Sequence, residues 1–425
     1  MQELVANKSV AKMSLRRAVI WVTLAVVALV NVPAFAQVLE VKPGKRAIVK
    51  EKPKGDGKQF PERLEPGTRV KPIGDVPRYF EIELDDGRTG FSFKGNFVVV
   101  GETDGGGAPA TDRAGLLARD DVLKIIIIDV EVGDATLIIC PKEDGEQDVI
   151  LIDTGENDQD RIEAELVKNG FELTDRPIDR MFISHYDHDH QGDAIELMPL
   201  VAVLFDHGNN NVDSPYKTEA DKLGANRRTI ALDYHEQFTG GVEIECVAVN
   251  RATDFDPDRT PSTKENDNSI ALIVSFDGFE YFTGGDLTFS AERSLKQGIR
   301  DCDVYHVNHH GSRATSSDLD FVTKLAPEVS IASNGTQHGH PTDDVAQRLI
   351  GIGSSFFQTN TNDDSRAHQP DPKFVGDDTL HADSEDENLE GATGTIVVVV
   401  DAVTDRYFVI MPGLDLGEGT FPIEN

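Results

Sequence analysis

The residues able to do chemistry are crowded into the part of this chain that follows position 184. All twelve histidines lie at or after position 185. The densest group is Ser184-His-Tyr-Asp-His-Asp-His-Gln-Gly-Asp193, with six acidic or histidine residues in nine positions. It follows an apolar strand-like run and precedes a helix-like stretch, Ala194 to Met198. Loops at strand ends are where a rigid scaffold presents its ligands. His185, Asp187, Asp189 and His190 supply imidazole and carboxylate at i, i+2, i+4 and i+5. In an extended loop, alternation turns 185, 187 and 189 to one side and His190 adds a second direction. The spacing therefore predicts service to two adjacent metal ions, and the donor mixture suits zinc, manganese or iron. A solvated loop with incidental histidines is a poor rival at this density.

These groups need a scaffold. Leu123–Ile128, Ala135–Cys140 and Val149–Ile152 read as strands. An amphipathic helix over Asp160–Asn169 and a strand over Arg180–Ser184 follow. Further strands are expected at 201–205, 242–249, 269–274 and 304–307, and helices near 291–298 and 342–350. The strand 395–401 and its hairpin partner 406–411 close a domain spanning 121–412, with residues 413–425 as a tail. Two sheets covered by helices satisfy this order. Residues 361–391 are acid-rich and read as an exposed insertion. Residues 37–100 alternate short β-rich runs with Pro-Gly and Asp-Gly turns, the pattern of a small all-β barrel. Residues 101–120, with Gly105-Gly-Gly107, read as a flexible linker.

Residues 1–36 have the layout of a secretory signal peptide. Basic Lys12, Arg16 and Arg17 precede the apolar run Ala18–Val30, and Ala34-Phe-Ala36 offers a small-residue cleavage site. The run is short of the roughly 20 residues that span a bilayer, so no stable membrane insertion is expected after cleavage. The mature chain is then periplasmic or secreted. Cys140, Cys246 and Cys302 suggest no disulfide framework and read as buried thiols. The formal net charge is −34, and removing residues 1–36, which carry +3, leaves −37. Such acidity works against sequence-blind attraction to nucleic acid or anionic lipid.

The motifs resemble those of the metallo-β-lactamase superfamily, in the His-x-Asp-x-Asp-His variant found in the hydrolase domain of competence DNA-uptake channel proteins. Asp129-Val-Glu-Val-Gly-Asp-Ala135 resembles the first motif, with Glu131-Val132 where Gly-Gln is usual. Ile150-Leu-Ile-Asp-Thr-Gly155, Phe282-Thr-Gly-Gly-Asp286, Val307-Asn-His-His-Gly-Ser312 and Gly339-His-Pro341 follow in family order. The resemblance implies an α+β fold, an αββα sandwich, behind the small barrel. It implies that His185, Asp187, Asp189, His190, Asp286 and one of His309 or His310, with His310 favoured, hold two divalent ions. Asp153 would brace the metal loop. Asp189, His309 and His340 would act on the substrate, His340 as a donor or a further ligand. The expected ions are Zn2+ first, then Mn2+ or Fe. The first unit, in Leu64–Asp75 and Tyr79–Phe91, resembles a bacterial Src-homology-3-type domain, a module that binds cell wall or simply packs on its partner.

The expected reaction is hydrolysis by metal-activated hydroxide, of a small-molecule or polymer phosphodiester or related phosphoester. The family resemblance points to nucleic acid and the charge points away from it. Arg227, Arg228 and Arg313 are isolated candidates for phosphate contact. Alternatives are a hydrolase of a non-phosphate ester, lactone or amide, and a cell-envelope binding protein with a non-catalytic metal site. His188 is expected to point away from the site, His207 to be a satisfied loop histidine, and His235, His338, His368 and His381 to be structural or exposed.

Overall fold

The apolar runs beyond residue 120 are too long and too continuous for strands with a wet face. Ile125-Ile-Ile-Ile128 and Val397-Val-Val-Val400 are buried at every position, as strands covered on both sides must be. A computed structural model of the chain describes residues 112–423 except 175, 210–214, 337, 363 and 377–393. It also describes 37–41, 47–50, 52, 59–64, 68–70, 72–76, 79–84, 88–93 and 97–102. The proposed signal peptide and His381 lie outside the described residues.

Nine strands form the first sheet, in the order Arg227–Thr229, Val201–Asp206, Ile178–Phe182, Val149–Ile152, Thr136–Ile139, Leu123–Ile127, Ile396–Asp401, Arg406–Ile410 and Thr420–Pro422. The first four are parallel and the rest antiparallel. The second sheet runs His235–Gln237, Glu243–Val249, Ala271–Phe276, Phe279–Thr283, Val304–His306, Val329–Ala332 and Ser355–Gln358, with Ala252–Thr253 paired on its side. Its last four strands are parallel.

Period-two alternation sorts the side chains into layers. Leu123, Ile125 and Ile127 face Leu272, Val274 and Tyr281 of the other sheet across a shared core. Ile126 and Ile128 turn outward, onto Leu116, Ile162, Leu166 and Tyr216 from the helices of that side. Ile273, Phe282 and Tyr305 turn outward from the second sheet, onto Leu295, Phe321 and Leu349. The result is the expected helix–sheet–sheet–helix sandwich. In the first unit, eight short strands form sheets of three and five around Val49, Val70, Phe80 and Ile82.

Three boundaries differ from the sequence reading. The linker region contains a strand ending at Glu102 and a helix, Arg113–Ala118, whose Leu116 is buried in the core. Six residues with two adjacent leucines carry too little periodicity to reveal it. The acid-rich stretch is not wholly exposed: Asn362, Ala367, His368 and Val375 are buried, and Thr342 bridges to Ala367. The tail is an edge strand, with Phe421 stacked on Tyr407 at 5.2 Å and Leu414 and Ile423 in the shared core. Leu414→Ala is therefore expected to cost about 2 kcal/mol in a denaturant melt; an unchanged midpoint would show that the tail does not close the core. The three cysteines are free and buried.

Candidate metal centre

The site gathers at the carboxyl ends of strands from both sheets. Asp153 follows Val149–Ile152, and the 185–190 loop follows Ile178–Phe182. Asp286, His309-His310 and Ser333 follow three successive strands of the second sheet. Beyond strand ends the backbone is free of the ladder and can take strained forms. Asp153, His309 and His310 are all left-handed, with φ of 59°, 52° and 51°. Each such non-glycine residue costs about 1–3 kcal/mol and tends to mark a site. Gly285, also left-handed at φ 50°, lets its turn pass Ser184, where a Cβ would meet Oγ at 2.4 Å. At Gly133 a Cβ would lie 1.7 Å from the carbonyl of Asp189, so only glycine lets the 130–134 loop pack against the metal loop.

The metal loop is less extended than the sequence reading supposed. Residues 188–191 form one helical turn, so helical geometry, not strand alternation, separates Asp189 from His190.

Four imidazoles are tied at Nδ1 with Nε2 turned inward. His190 Nδ1 donates to Asp153 Oδ2 at 2.9 Å. His185 Nδ1 lies 3.1 Å from Ser184 Oγ, which itself donates to Asp153 Oδ2 at 2.6 Å. His310 Nδ1 meets the Ser333 carbonyl at 3.2 Å, and His309 Nδ1 meets Thr315 Oγ1 at 2.7 Å. Second partners of this kind set the tautomer of a ligand histidine.

The inward nitrogens converge on Asp286. Its Oδ1 lies 3.1 Å from His190 Nε2 and 3.4 Å from His310 Nε2. Its Oδ2 lies 3.2 Å from His309 Nε2 and 3.8 Å from His185 Nε2. Asp189 Oδ2 joins the first side, 3.5 Å from His310 Nε2. Asp187 Oδ2 joins the second, 3.5 Å from His185 Nε2, with a side chain 44% exposed. His185 with His190 and Asp286, and Asp189 with His190 and His310, are each grouped closely enough to hold an ion. Among the described residues, buried His185 Nε2 and Asp286 Oδ1 have no hydrogen-bond partner. Buried polar atoms are rarely left so, and a cation between them fits both the orphaned atoms and the donor chemistry.

His309 and His310 thus flank opposite oxygens of Asp286, a split that spacing left open. His340 lines the cavity with its ring 6.3 Å from His309, outside the ligand groups. His338, read as structural or exposed, also lines the cavity. His188 points off the cluster to the rim, 3.6 Å from Glu156. His207 is buried and satisfied, at 2.8 Å from Glu265. His368 pairs with Asp343 at 2.8 Å and His235 with Glu243 at 3.4 Å. None of the three candidate arginines lines the cavity. Arg227 binds Asp206 and Asp221, Arg313 pairs with Asp344 at 2.6 Å, and Arg228 lies over the Phe205 ring. The sequence reading passed over Asp134 and His306, buried beneath the site. Asp134 Oδ1 lies 3.4 Å from His310 Nδ1 and 3.5 Å from His306 Nε2. Only their place in the first motif and at a strand end marked them.

Charge and burial oppose each other here. Burial alone would raise the Asp286 carboxyl, but His190, His310 and His185 hold it well below the usual range. Burial would lower His190, yet Asp286 and Asp153 raise it well above its ordinary value. His310 is raised likewise, by Asp134 and Asp286. His309 is lowered by burial, and His340 is brought down to about 4 by burial and the neighbouring imidazoles. In the metal-free protein the raised histidines contribute stability in full below about pH 6.5, lost as pH rises through their folded values. The lowered carboxylates contribute above about pH 4, lost as pH falls through theirs. Metal-free protein should therefore melt highest between about pH 4 and 6.5, while metal displaces those protons and carries the maximum upward. Identical profiles with and without metal, in scanning calorimetry, would contradict this.

A sequence profile described as the metallo-beta-lactamase superfamily matches residues 128–204. Competence protein ComA of Neisseria gonorrhoeae is 27% identical over 192 residues, 44% of this chain and 24% of that protein. Recombination protein 2 of Haemophilus influenzae is 26% identical over 235 residues, 55% of this chain and 27% of that protein. The chain thus spans about a quarter of the length of these curated relatives. Zn2+-bound PqqB from Methylobacterium extorquens superposes with a TM-score of 0.34 and 13% identity, over 55% of this chain and 87% of its own. The residues that match that profile, 128–204, include the 185–190 loop.

Proposed function

We propose that this chain is an exported hydrolase that uses two divalent metal ions to cleave phosphodiester or related phosphoester bonds. The observation that carries the reading is the convergence of two imidazole–carboxylate groups on the opposite oxygens of Asp286. His185, Asp187 and Asp286 would hold one ion, and Asp189, His190, His310 and Asp286 the other. Zinc is the first expectation, manganese or iron the next. Bound there, such ions polarise the ester and lower the pKa of water from about 15.7 towards 7.

The chain's own residues do the rest. Asp153 holds His190 directly and His185 through Ser184, which supports its role as brace of the loop. Asp189, partly open to the cavity, can accept the proton of the attacking water. His340, lowered to about 4, is neutral at physiological pH. It therefore donates an N–H to the developing oxyanion rather than delivering a proton from an imidazolium. His309, also lowered, sits beside Asp286 and can serve the same oxyanion. The amino-terminal signal layout supports export, and the β-rich first unit supports contact with cell wall. Among the described residues no helix is long and apolar enough to cross a membrane.

Metal analysis with a chromogenic panel tests the reading. The expected outcome is about two equivalents of zinc and turnover of a nitrophenyl phosphodiester. Full metal content with no phosphodiester turnover, or turnover of a lactam or lactone instead, would reject it.

A further inference from the structure

The cleft into which the metal centre opens has a cavity of about 340 Å³, the size of a small-molecule site. Its walls carry the carboxylates of Glu156, Asp189 and Asp286 and several imidazoles, but among the described residues no lysine or arginine. The undescribed residues between 112 and 423 add none, since 175, 210–214, 337, 363 and 377–393 contain no Lys or Arg and many acids. The guanidiniums around the cleft loops are already neutralised. Arg161 is held by Asp129 and Asp158, and Arg366, beside Gly339, by Asp364. Nucleic-acid sites are built the other way, from Lys and Arg that neutralise successive phosphates. The metal-ligand carboxylates nearly cancel the charge of two divalent ions. The attacking hydroxide takes up what remains, so the cleft keeps no surplus positive charge for a second phosphate. At the mouth stands Glu156, its side chain 33% exposed and 3.6 Å from the rim residue His188.

Resting on the phosphodiesterase reading, we infer that the substrate is a small phosphodiester whose second ester group is neutral or cationic. Glu156 is the residue that turns polyanions away. An approaching unit charge at the mouth, screened by water, meets Glu156 with an energy that changes rates by about 3–10-fold.

The test uses full-length, zinc-loaded protein and three nitrophenyl phosphodiesters with one leaving group: the choline ester, the thymidine 5′-ester, and the thymidine ester carrying an added 3′-phosphate. The expected kcat/KM order is choline, thymidine, then the 3′-phosphorylated ester at least 10-fold below the first. Glu156→Lys should shift the ratio of the choline to the 3′-phosphorylated ester by about 10-fold or more towards the anion, with metal content unchanged. A labelled single-stranded 20-nucleotide DNA should show no anisotropy change at micromolar protein in low salt. A flat or reversed order, a ratio indifferent to Glu156→Lys, or salt-sensitive DNA binding overturns this inference alone. No turnover of any ester overturns the phosphodiesterase reading and this inference with it.

Discussion

Asp286→Ala is expected to remove at least one metal ion and to lower kcat/KM on an activated phosphodiester by about 10³-fold or more. Among the described residues, Asp286 is the only carboxylate whose two oxygens reach both sides of the cluster, with His190 and His310 at Oδ1 and His185 and His309 at Oδ2. Alanine leaves each group a ligand short and four inward imidazoles without the charge that gathers them. The fold should persist, because Asp286 lies on the turn after a strand and its neighbours Phe282 and Leu287 remain packed in the outer core. Metal stoichiometry, far-ultraviolet circular dichroism and kinetics on one preparation check this together. Retained metal and retained turnover would refute the assignment of Asp286 as the shared ligand.

The second large effect belongs to Asp153, which should touch no substrate. Its carboxylate, 1% exposed, accepts the Ser184 amide at 2.7 Å, the Ser184 hydroxyl at 2.6 Å and His190 Nδ1 at 2.9 Å. Asp153→Ala strands three buried donors and should cost about 3–5 kcal/mol, as loss of one partner of a buried charged pair does. It should also weaken metal binding by about 10–100-fold, because the tautomers of His190 and His185 are no longer set. Alanine is further penalised by the left-handed backbone at 153. Asp153→Asn separates the effects: asparagine tolerates that backbone and keeps one acceptor oxygen, so stability should recover more than metal affinity. Equal recovery of both would mean that Asp153 only supports the fold.

Much of the scaffold was legible. Continuous Ile and Val runs announced strands buried on both faces, and Val149–Ile152 occurs as read. The strand Phe279–Thr283, whose Glu280 breaks the apolar run, was not marked, nor were Val329–Ala332 and Ser355–Gln358. Four residues with mixed polarity carry too little periodicity to separate strand from loop. The metal loop was legible because its donors are neighbours in the chain. Asp134 and His306 were not, because they join the site through contacts with residues far away in the chain, Asp134 with His310 and His306 with Asp134. The arginines were misjudged for the same reason: an isolated guanidinium looks available until its carboxylate partner, 21 residues away for Arg227 and Asp206, is seen.

What the amino-acid order determined by itself was local: donor types and spacing, strand alternation, turn glycines and overall acidity. Those depend on neighbours along the chain, whose geometry is set by backbone periodicity. Only the tertiary structure decided that His309 and His310 take opposite oxygens of Asp286, that no lysine or arginine lines the cleft among the described residues, and that the tail is a strand. Each of these rests on contact between segments far apart in sequence, brought together by burial of two sheets against one another.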